Sequence, residues 1–438
     1  MTKIKSSKVA RLLMPMILAV IMCFGMSISA FAAGSPATGG TPSDPIELAA
    51  TKIFQMPQGT TTPAATFNFN FTAVSLDGNT ASTGDAAEFA KMPAITSGTI
   101  SFTSADTGFV TGSTKSIIKQ TAGDLLASVA WPHAGEYVYT LEESTTFVTG
   151  TGETLTNSSA KYQLNIYVAN DGSGGFYVSS IGAVIVTPDP SNSGNVGDKV
   201  DPEPGDETDP TDPGDFSSVV FTNVYVFQND GDPTDPADRA LSISKTVEGL
   251  LGDTTKYFDF AITATQPSSV TGTAEYKAFI INSATNTIVD PLDNGIAAAN
   301  IGTDTNGDYV KVVSGTPITI PLKHGQLIAF SNLHTGATYT AVESAYSGYT
   351  AEVRIVVNGG TAIDLPATPT ENATLSTGAR IIGENANSAA FKNTYKTVTP
   401  TGILIDNMPY IMLALLLIGA LSAYVIAKSR RRSAGAER

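Results

Sequence analysis
Three short segments recur twice in the same order, and in all six a polar residue stands where a strand pattern asks for an apolar one. The first set covers residues 46–54, with Lys52, 139–143, with Glu143, and 221–225, with Asn223. The second covers 241–247, with Lys245, 339–343, with Glu343, and 391–395, with Asn393. Such self-similarity points to two copies of one structural unit. Around these segments the texture is period-two, as in residues 66–71, 137–141 and 162–168. Thr, Val, Tyr and Phe alternate there with polar residues, and Gly, Asn, Asp and Pro break the runs, which is the pattern of half-buried strands. Residues 85–91 and 122–129 read as short helical turns, and no long amphipathic helix is evident between the two ends of the chain. The expected class is all-β, with two tandem sandwiches of roughly 150 residues each.

Strand side chains alternate between faces. Lys52 therefore lies with Leu48, Ala50 and Phe54, and Lys245 with Leu241, Ile243 and Val247. Glu143 shares a face with Tyr139 and Leu141, while Glu142 falls on the other; Glu343 lies with Tyr339 and Ala341. Asn223 stands between Phe221 and Tyr225, and Asn393 between Phe391 and Tyr395. Burying a lysine, a glutamate and an asparagine is costly unless they satisfy one another. The chemistry that accounts for them is an isopeptide bond. Desolvation lowers the lysine pKa and raises that of the acid, leaving a neutral amine beside a protonated carboxyl. The amine can attack the asparagine carbonyl while the acid holds its oxygen and moves protons, and ammonia leaves. No cofactor is needed, because proximity supplies the rate.

The two ends of the chain carry their own signals. Residues 1–32 run from Lys3, Lys5, Lys8 and Arg11 through an apolar stretch to Ala30-Phe31-Ala32, the layout of a secretory signal peptide. Residues 33–45 read as a flexible leader, residues 188–215, dense in Asp-Pro and Glu-Pro, as a surface loop that cannot be a strand, and residues 229–240 as a linker. The two units are thus expected over 46–228 and 241–397. Residues 398–438 contain a turn-prone Pro400-Thr401-Gly402, a nearly uninterrupted apolar run over 408–427, and a basic tail of Lys428, Arg430, Arg431 and Arg432. About twenty apolar residues span a bilayer core, and the basic cluster is expected on the cytoplasmic side.

A short Pro-Thr-Gly outside a final membrane span resembles the sorting signal of Gram-positive surface proteins. The resemblance implies that a sortase cysteine cleaves between Thr401 and Gly402 and passes the Thr401 acyl group to an amine. Proline directly before the threonine departs from the commoner Leu-Pro-x-Thr-Gly and is similar to the variants of some pilins. The ordered lysine, glutamate and asparagine resemble those of Gram-positive pilins and collagen-adhesin B-type (CnaB) domains, particularly the FctA-like streptococcal pilins. That resemblance covers both units and the sorting signal. It implies two Ig-like sandwiches, one bond joining Lys52 to Asn223 with Glu143 as its acid, and a second joining Lys245 to Asn393 with Glu343. It also implies an acceptor lysine for polymerisation. A Tyr-Pro-Lys motif is missing, and Lys199, Lys115 and Lys119 are the candidates.

Charge and cysteine usage narrow the classes further. Residues 33–401 hold 16 basic and 38 acidic residues, a net of −22, which repels nucleic acid. The one cysteine, Cys23, lies in the signal segment, so an exported chain lacking it cannot use disulfide staples. His133, His324 and His334 show no ligand spacing, and no metal or cofactor is expected. Residues 304–308 look like part of a calcium loop but lack its distal glutamate, and read as a turn. Trp131 reads as core or rim. The expectation is a non-enzymatic structural subunit of a pilus shaft on a Gram-positive wall. Its partners would be a sortase, neighbouring subunits and peptidoglycan, with the membrane touched only by the precursor. The competing reading is a monomeric wall-anchored adhesin, or a minor pilin, that binds a host surface ligand.

Overall fold
The computed structural model describes residues 40–190, 194–396 and 401–433. The expected signal peptide, most of the leader, and Pro400 lie outside the described residues. Strands dominate. The first group is β1 (Thr51–Pro57), β2 (Ala65–Leu76), β3 (Gly98–Phe102), β4 (Phe109–Thr111), β5 (Thr114–Gln120) and β6 (Gly135–Thr145). It continues with β7 (Glu153–Thr156), β8 (Lys161–Asn170), β9 (Phe176–Thr187), β10 (Lys199–Val200) and β11 (Val220–Phe227). They form two facing sheets, ordered β4-β5-β1-β11-β7 and β10-β9-β8-β6-β2-β3.

The second group is β12 (Leu241–Glu248), β13 (Phe258–Thr265), β14 (Glu275–Asn282), β15 (Thr287–Ile288), β16 (Ile301–Asp304), β17 (Gly307–Val313) and β18 (Ile318–Leu322). It closes with β19 (Gln326–Phe330), β20 (Thr338–Glu343), β21 (Tyr349–Val356), β22 (Ile363–Leu365), β23 (Leu375–Ser376), β24 (Arg380–Ile381) and β25 (Ser388–Tyr395). One sheet runs β16-β17-β14-β19-β12-β25-β21-β22, with β15 on β14; the other runs β18-β13-β20-β23, with β24 on β20.

Each pair of sheets encloses one apolar core. In the first, Phe54, Phe67 and Phe102 meet with ring centroids 5.2–5.8 Å apart, and Phe69 meets Phe221 at 5.2 Å. In the second, Phe260 and Phe391 cross edge to face at 5.0 Å. The opening and closing strands of each group are neighbours and run parallel, so the chain leaves each sandwich beside the strand by which it entered. Lys52 lies opposite Phe221 and Phe54 opposite Asn223. The register repeats in the second group, with Lys245 opposite Phe391 and Val247 opposite Asn393. This equal offset puts each lysine and asparagine on the same inner face of adjacent strands.

Several segments differ from the sequence expectation. In the proline-rich stretch expected to be a loop without a strand, the described residues 194–215 include a short strand and are tied to the sheets. Lys199 and Val200 pair with Val184 and Ala183 at the sheet edge, where prolines nearby interrupt no ladder, and the Pro202 carbonyl accepts the Ala49 N–H at 2.9 Å. Just beyond it, Phe216 covers the outer side of β1 together with Ile118 and Val220, so Ile53 is buried as well as the inward residues. Residues 40–46 dock on β9 through Gly40 and Ile46, and the 229–240 connection packs on the second group, Asn229 N–H donating to the Leu333 carbonyl at 3.0 Å. A helix, α1 (Ala86–Phe89), is capped by Asp85, while 122–129 form turns. Helix α2 (Thr401–Ser433) begins at Thr401, where the sequence suggested a turn, and it contains Pro409. Its apolar part, Met408–Lys428, is 21 residues long, about 32 Å at helical rise.

Phe260 is fully buried and packs on Phe391. Phe260→Ala is expected to cost about 3–5 kcal/mol, seen as a lower urea midpoint at unchanged slope. A cost below about 1 kcal/mol would mean that this ring pair does not sit at the centre of a packed core.

Candidate functional site
Two polar clusters lie inside the two cores. In the first, β1 supplies Lys52 and β11 supplies Asn223 from one sheet, and β6 supplies Glu143 from the facing sheet. Lys52 and Asn223 are fully buried. The Glu143 side chain is 2% exposed, although the residue as a whole is half-buried. Lys52 Nζ donates to Glu143 Oε2 at 2.5 Å and to Asn223 Oδ1, and lies 4.2 Å from the centre of the Phe67 ring. Glu142, on the other face, is exposed and pairs with Lys161.

The second cluster has the same origin: Lys245 from β12, Asn393 from β25 and Glu343 from β20. All three are at most 2% exposed. Lys245 Nζ donates to Glu343 Oε1 at 2.5 Å, and Asn393 Nδ2 donates to the same oxygen at 2.7 Å. Lys245 Nζ lies 4.1 Å from the Phe258 ring centre.

Burial moves the titrations of these groups together. It lowers both lysines to about 8, against the pull of their glutamates, and it raises both glutamates, against the pull of the lysines. Both shifts favour the neutral pair, amine and carboxylic acid. A neutral amine in contact with a carboxamide, and a carboxyl able to donate to its oxygen and relay a proton, is an arrangement capable of amide exchange.

The clusters include partners that no strand pattern reveals. The Ser158 N–H donates to Asn223 Oδ1 at 3.0 Å, and Asn223 Nδ2 donates to Asn157 Oδ1 at 3.3 Å. Asp189, buried at the start of the acidic stretch, accepts from Ser158 Oγ at 2.5 Å and from the Thr222 N–H at 3.0 Å. These residues come from loops, and only the folded chain brings them beside Asn223.

The remaining sequence candidates are distributed as follows. Lys199 is exposed on β10. Lys115 is not a surface lysine: it is 9% exposed, its amine donating to the Thr60 carbonyl at 2.5 Å and to Thr62 Oγ1 at 3.0 Å. Lys119 pairs with Asp106 at 2.8 Å. Pro400 lies outside the described residues, and Thr401 and Gly402 open α2. Residues 304–308 form the β16–β17 turn, Asp304 pairing with Lys277. Trp131 packs at the edge of the first core against Tyr137. His133 is not isolated as its sequence surroundings implied. Its Nδ1–H donates to the Ala134 carbonyl, its Nε2 meets Glu88 Oε1 at 2.6 Å, and ligand atoms of Asp77, Glu88 and His133 lie within 4.8 Å of one another. The three come from the end of β2, from α1 and from the loop before β6, a meeting that ligand spacing in sequence cannot reveal.

A family model described as a domain of unknown function (DUF7601) matches residues 239–395. No curated protein is matched. Among solved structures, the chain is similar to the major pilin from Streptococcus pyogenes at 17% identity and a TM-score of 0.30, covering 80% of this chain and 99% of that one. It is similar to the major pilin protein (T3.2) from Streptococcus pyogenes serotype GAS13637 at 19% identity and a TM-score of 0.27, with the same coverage. The pilus-presented adhesin Spy0125 (Cpa) is matched at 17% identity and a TM-score of 0.22, over 54% of this chain and 36% of that one.

Replacing Asn223 and Asn393 with alanine removes the carboxamides beside the two lysines, so that both amines can only titrate. Burial holds these amines near 8 in the folded chain, against an ordinary 10.5. Between those values the unfolded chain keeps protons that the folded chain has shed, so stability from the lysines rises with pH through that window. The raised glutamates act lower on the scale. Their contribution is complete below the ordinary carboxylate value and is lost as pH climbs through the folded value. Urea midpoints at about pH 8 and about pH 10 should therefore rise in the alanine variant relative to the same chain with Lys52→Met and Lys245→Met. Equal pH dependence in the two chains would mean that the amines are solvated.

Proposed function
We propose that this chain is a structural subunit of a covalent surface fibre, the shaft of a Gram-positive pilus, stabilised by two autocatalytic Lys–Asn isopeptide bonds. The observation that carries the reading is the pair of buried lysine, glutamate and asparagine clusters, each joining the first and last strands of a sandwich. In each, the lysine amine displaces ammonia from the asparagine carboxamide, with the glutamate as proton carrier. Two buried polar groups become one neutral amide, which removes the cost of holding them apart from water. Because the bonded strands run parallel and side by side, tension entering by one and leaving by the other passes through the amide rather than through the sheets.

The apolar helix after Thr401 and the basic residues behind it fit a precursor held in the membrane until a sortase cuts between Thr401 and Gly402. The Thr401 acyl group then passes to a lysine of the next subunit, for which exposed Lys199 on the β10 edge is the candidate, or finally to peptidoglycan. The protein itself has no enzymatic turnover in this reading; it is a substrate of the sortase and the catalyst of its own two cross-links. An adhesin displayed singly on the wall is the competing reading. Among the described residues, the two sandwiches make up the body of the chain and no large separate binding region stands beside them, which favours the shaft.

Cell-wall extracts of the source organism, probed for this chain under denaturing conditions, are expected to give a high-mass ladder. Thr401→Ala should collapse the ladder to the monomer, and Lys199→Arg should do the same if it supplies the acceptor amine. A single band from the unaltered chain would rule out the shaft and leave the displayed adhesin.

A further inference from the structure
The two clusters hold the asparagine carboxamide differently. In the first, Oδ1 of Asn223 accepts both the Lys52 amine and the Ser158 backbone N–H, while Nδ2 donates to Asn157. A backbone N–H can only donate, so this contact alone fixes which end of the carboxamide is oxygen. In the second, Asn393 Nδ2 donates to Glu343, and Asn393 Oδ1 has no hydrogen-bond partner among the described residues.

We infer that Asn157, Ser158 and Asp189 form a clamp that positions Asn223 for attack, with the Ser158 N–H receiving the charge that develops on the carbonyl oxygen. This rests on the isopeptide reading above. Lys52 Nζ forms a bond to Asn223 Cγ, and the carbonyl electron pair moves onto Oδ1, towards the Ser158 N–H. When that pair returns, the bond from Cγ to Nδ2 breaks. The nitrogen leaves as ammonia, carrying the proton that the lysine gives up and Glu143 passes on. A fixed donor at a developing oxyanion needs no reorientation during the reaction, which is why such donors accelerate acyl transfer.

Asp189 acts one step back. It accepts Ser158 Oγ and the N–H of Thr222, the residue before Asn223. It therefore ties the turn that carries the donor to the strand that carries the electrophile. Ser158 Oγ also accepts the Ala160 N–H at 3.2 Å, which holds the turn closed. Asp189 is a positioning residue, and its role calls for two acceptor contacts rather than a negative charge. The acidic stretch between β9 and β11 thus reaches into the first cluster at its buried end.

The test uses the full chain, made in a host without sortase and purified in detergent after a pulse of synthesis. Tryptic peptides carrying Lys52 joined to Asn223, and Lys245 joined to Asn393, are quantified over time, the second linkage serving as an internal control. Asp189→Ala should slow the first linkage about 10- to 100-fold, the scale of a misplacement near 1 Å, and leave the second unchanged. Asp189→Asn keeps an acceptor oxygen and should restore the first linkage, which a requirement for charge would not allow. Asn157→Ala, at an exposed position, should also slow the first linkage, and it tests the clamp if Asp189→Ala does not fold. First-linkage rates equal to the unaltered chain in Asp189→Ala, or in Asn157→Ala, would overturn the clamp. Absence of both linkages from the unaltered chain would instead overturn the isopeptide reading beneath it.

Discussion
The architecture depends on two lysine amines kept out of water. Lys52 and Lys245 each sit between facing sheets, against an aromatic ring and a carboxyl, with an asparagine on the adjoining strand. An ammonium in such a place is several kcal/mol worse than in water unless it is paired well. Both lysines respond by losing much of their proton affinity, and both glutamates by gaining it. What would be a defect in an inert core would be, on the proposed function, the ground state of an amide-forming reaction. The parallel pairing of first and last strands would make the proposed bond a mechanical connection, because it puts lysine and asparagine on the strands that a pull on the chain loads first.

The proposed bonds would also account for how a chain of this composition stays folded if it is exported as its first residues suggest. Residues 33–401 contain no cysteine and carry a net charge of −22. Self-repulsion works against compactness, and disulfides are not available to oppose it. Two amide bridges between strand pairs far apart in sequence restrict the unfolded chain as disulfides do, and reducing conditions do not cleave them. The acidic stretch before β11 is part of the same design: it brings Phe216 over the outer side of β1 and Asp189 into the first cluster.

The strand architecture and the burial of the six polar residues were legible in the sequence, for identifiable reasons. Period-two alternation marks strands directly, and Lys52, Glu143, Asn223 and their counterparts stood out because each occupies the apolar face of its own strand. Other features were hidden because they depend on contacts between distant loops. Ser158 and Asp189 look like ordinary loop residues until the fold brings their segments beside Asn223. Lys115 reads as a surface lysine, yet its strand is covered and its amine donates to Thr60 and Thr62. The run 188–215 reads as loose because of its prolines, which do not prevent a two-residue edge pairing at Lys199 and Val200. The helix starting at Thr401 escaped a reading that took Pro-Thr-Gly for a turn.

The most direct measurement is the intact mass of recombinant residues 33–401, purified folded and then denatured for mass spectrometry. The account predicts a deficit of two ammonia molecules, one of which is regained in Glu143→Ala and the other in Glu343→Ala. The full theoretical mass from a well-folded sample would contradict it, and the buried lysines would then be unreacted amines held by their glutamates.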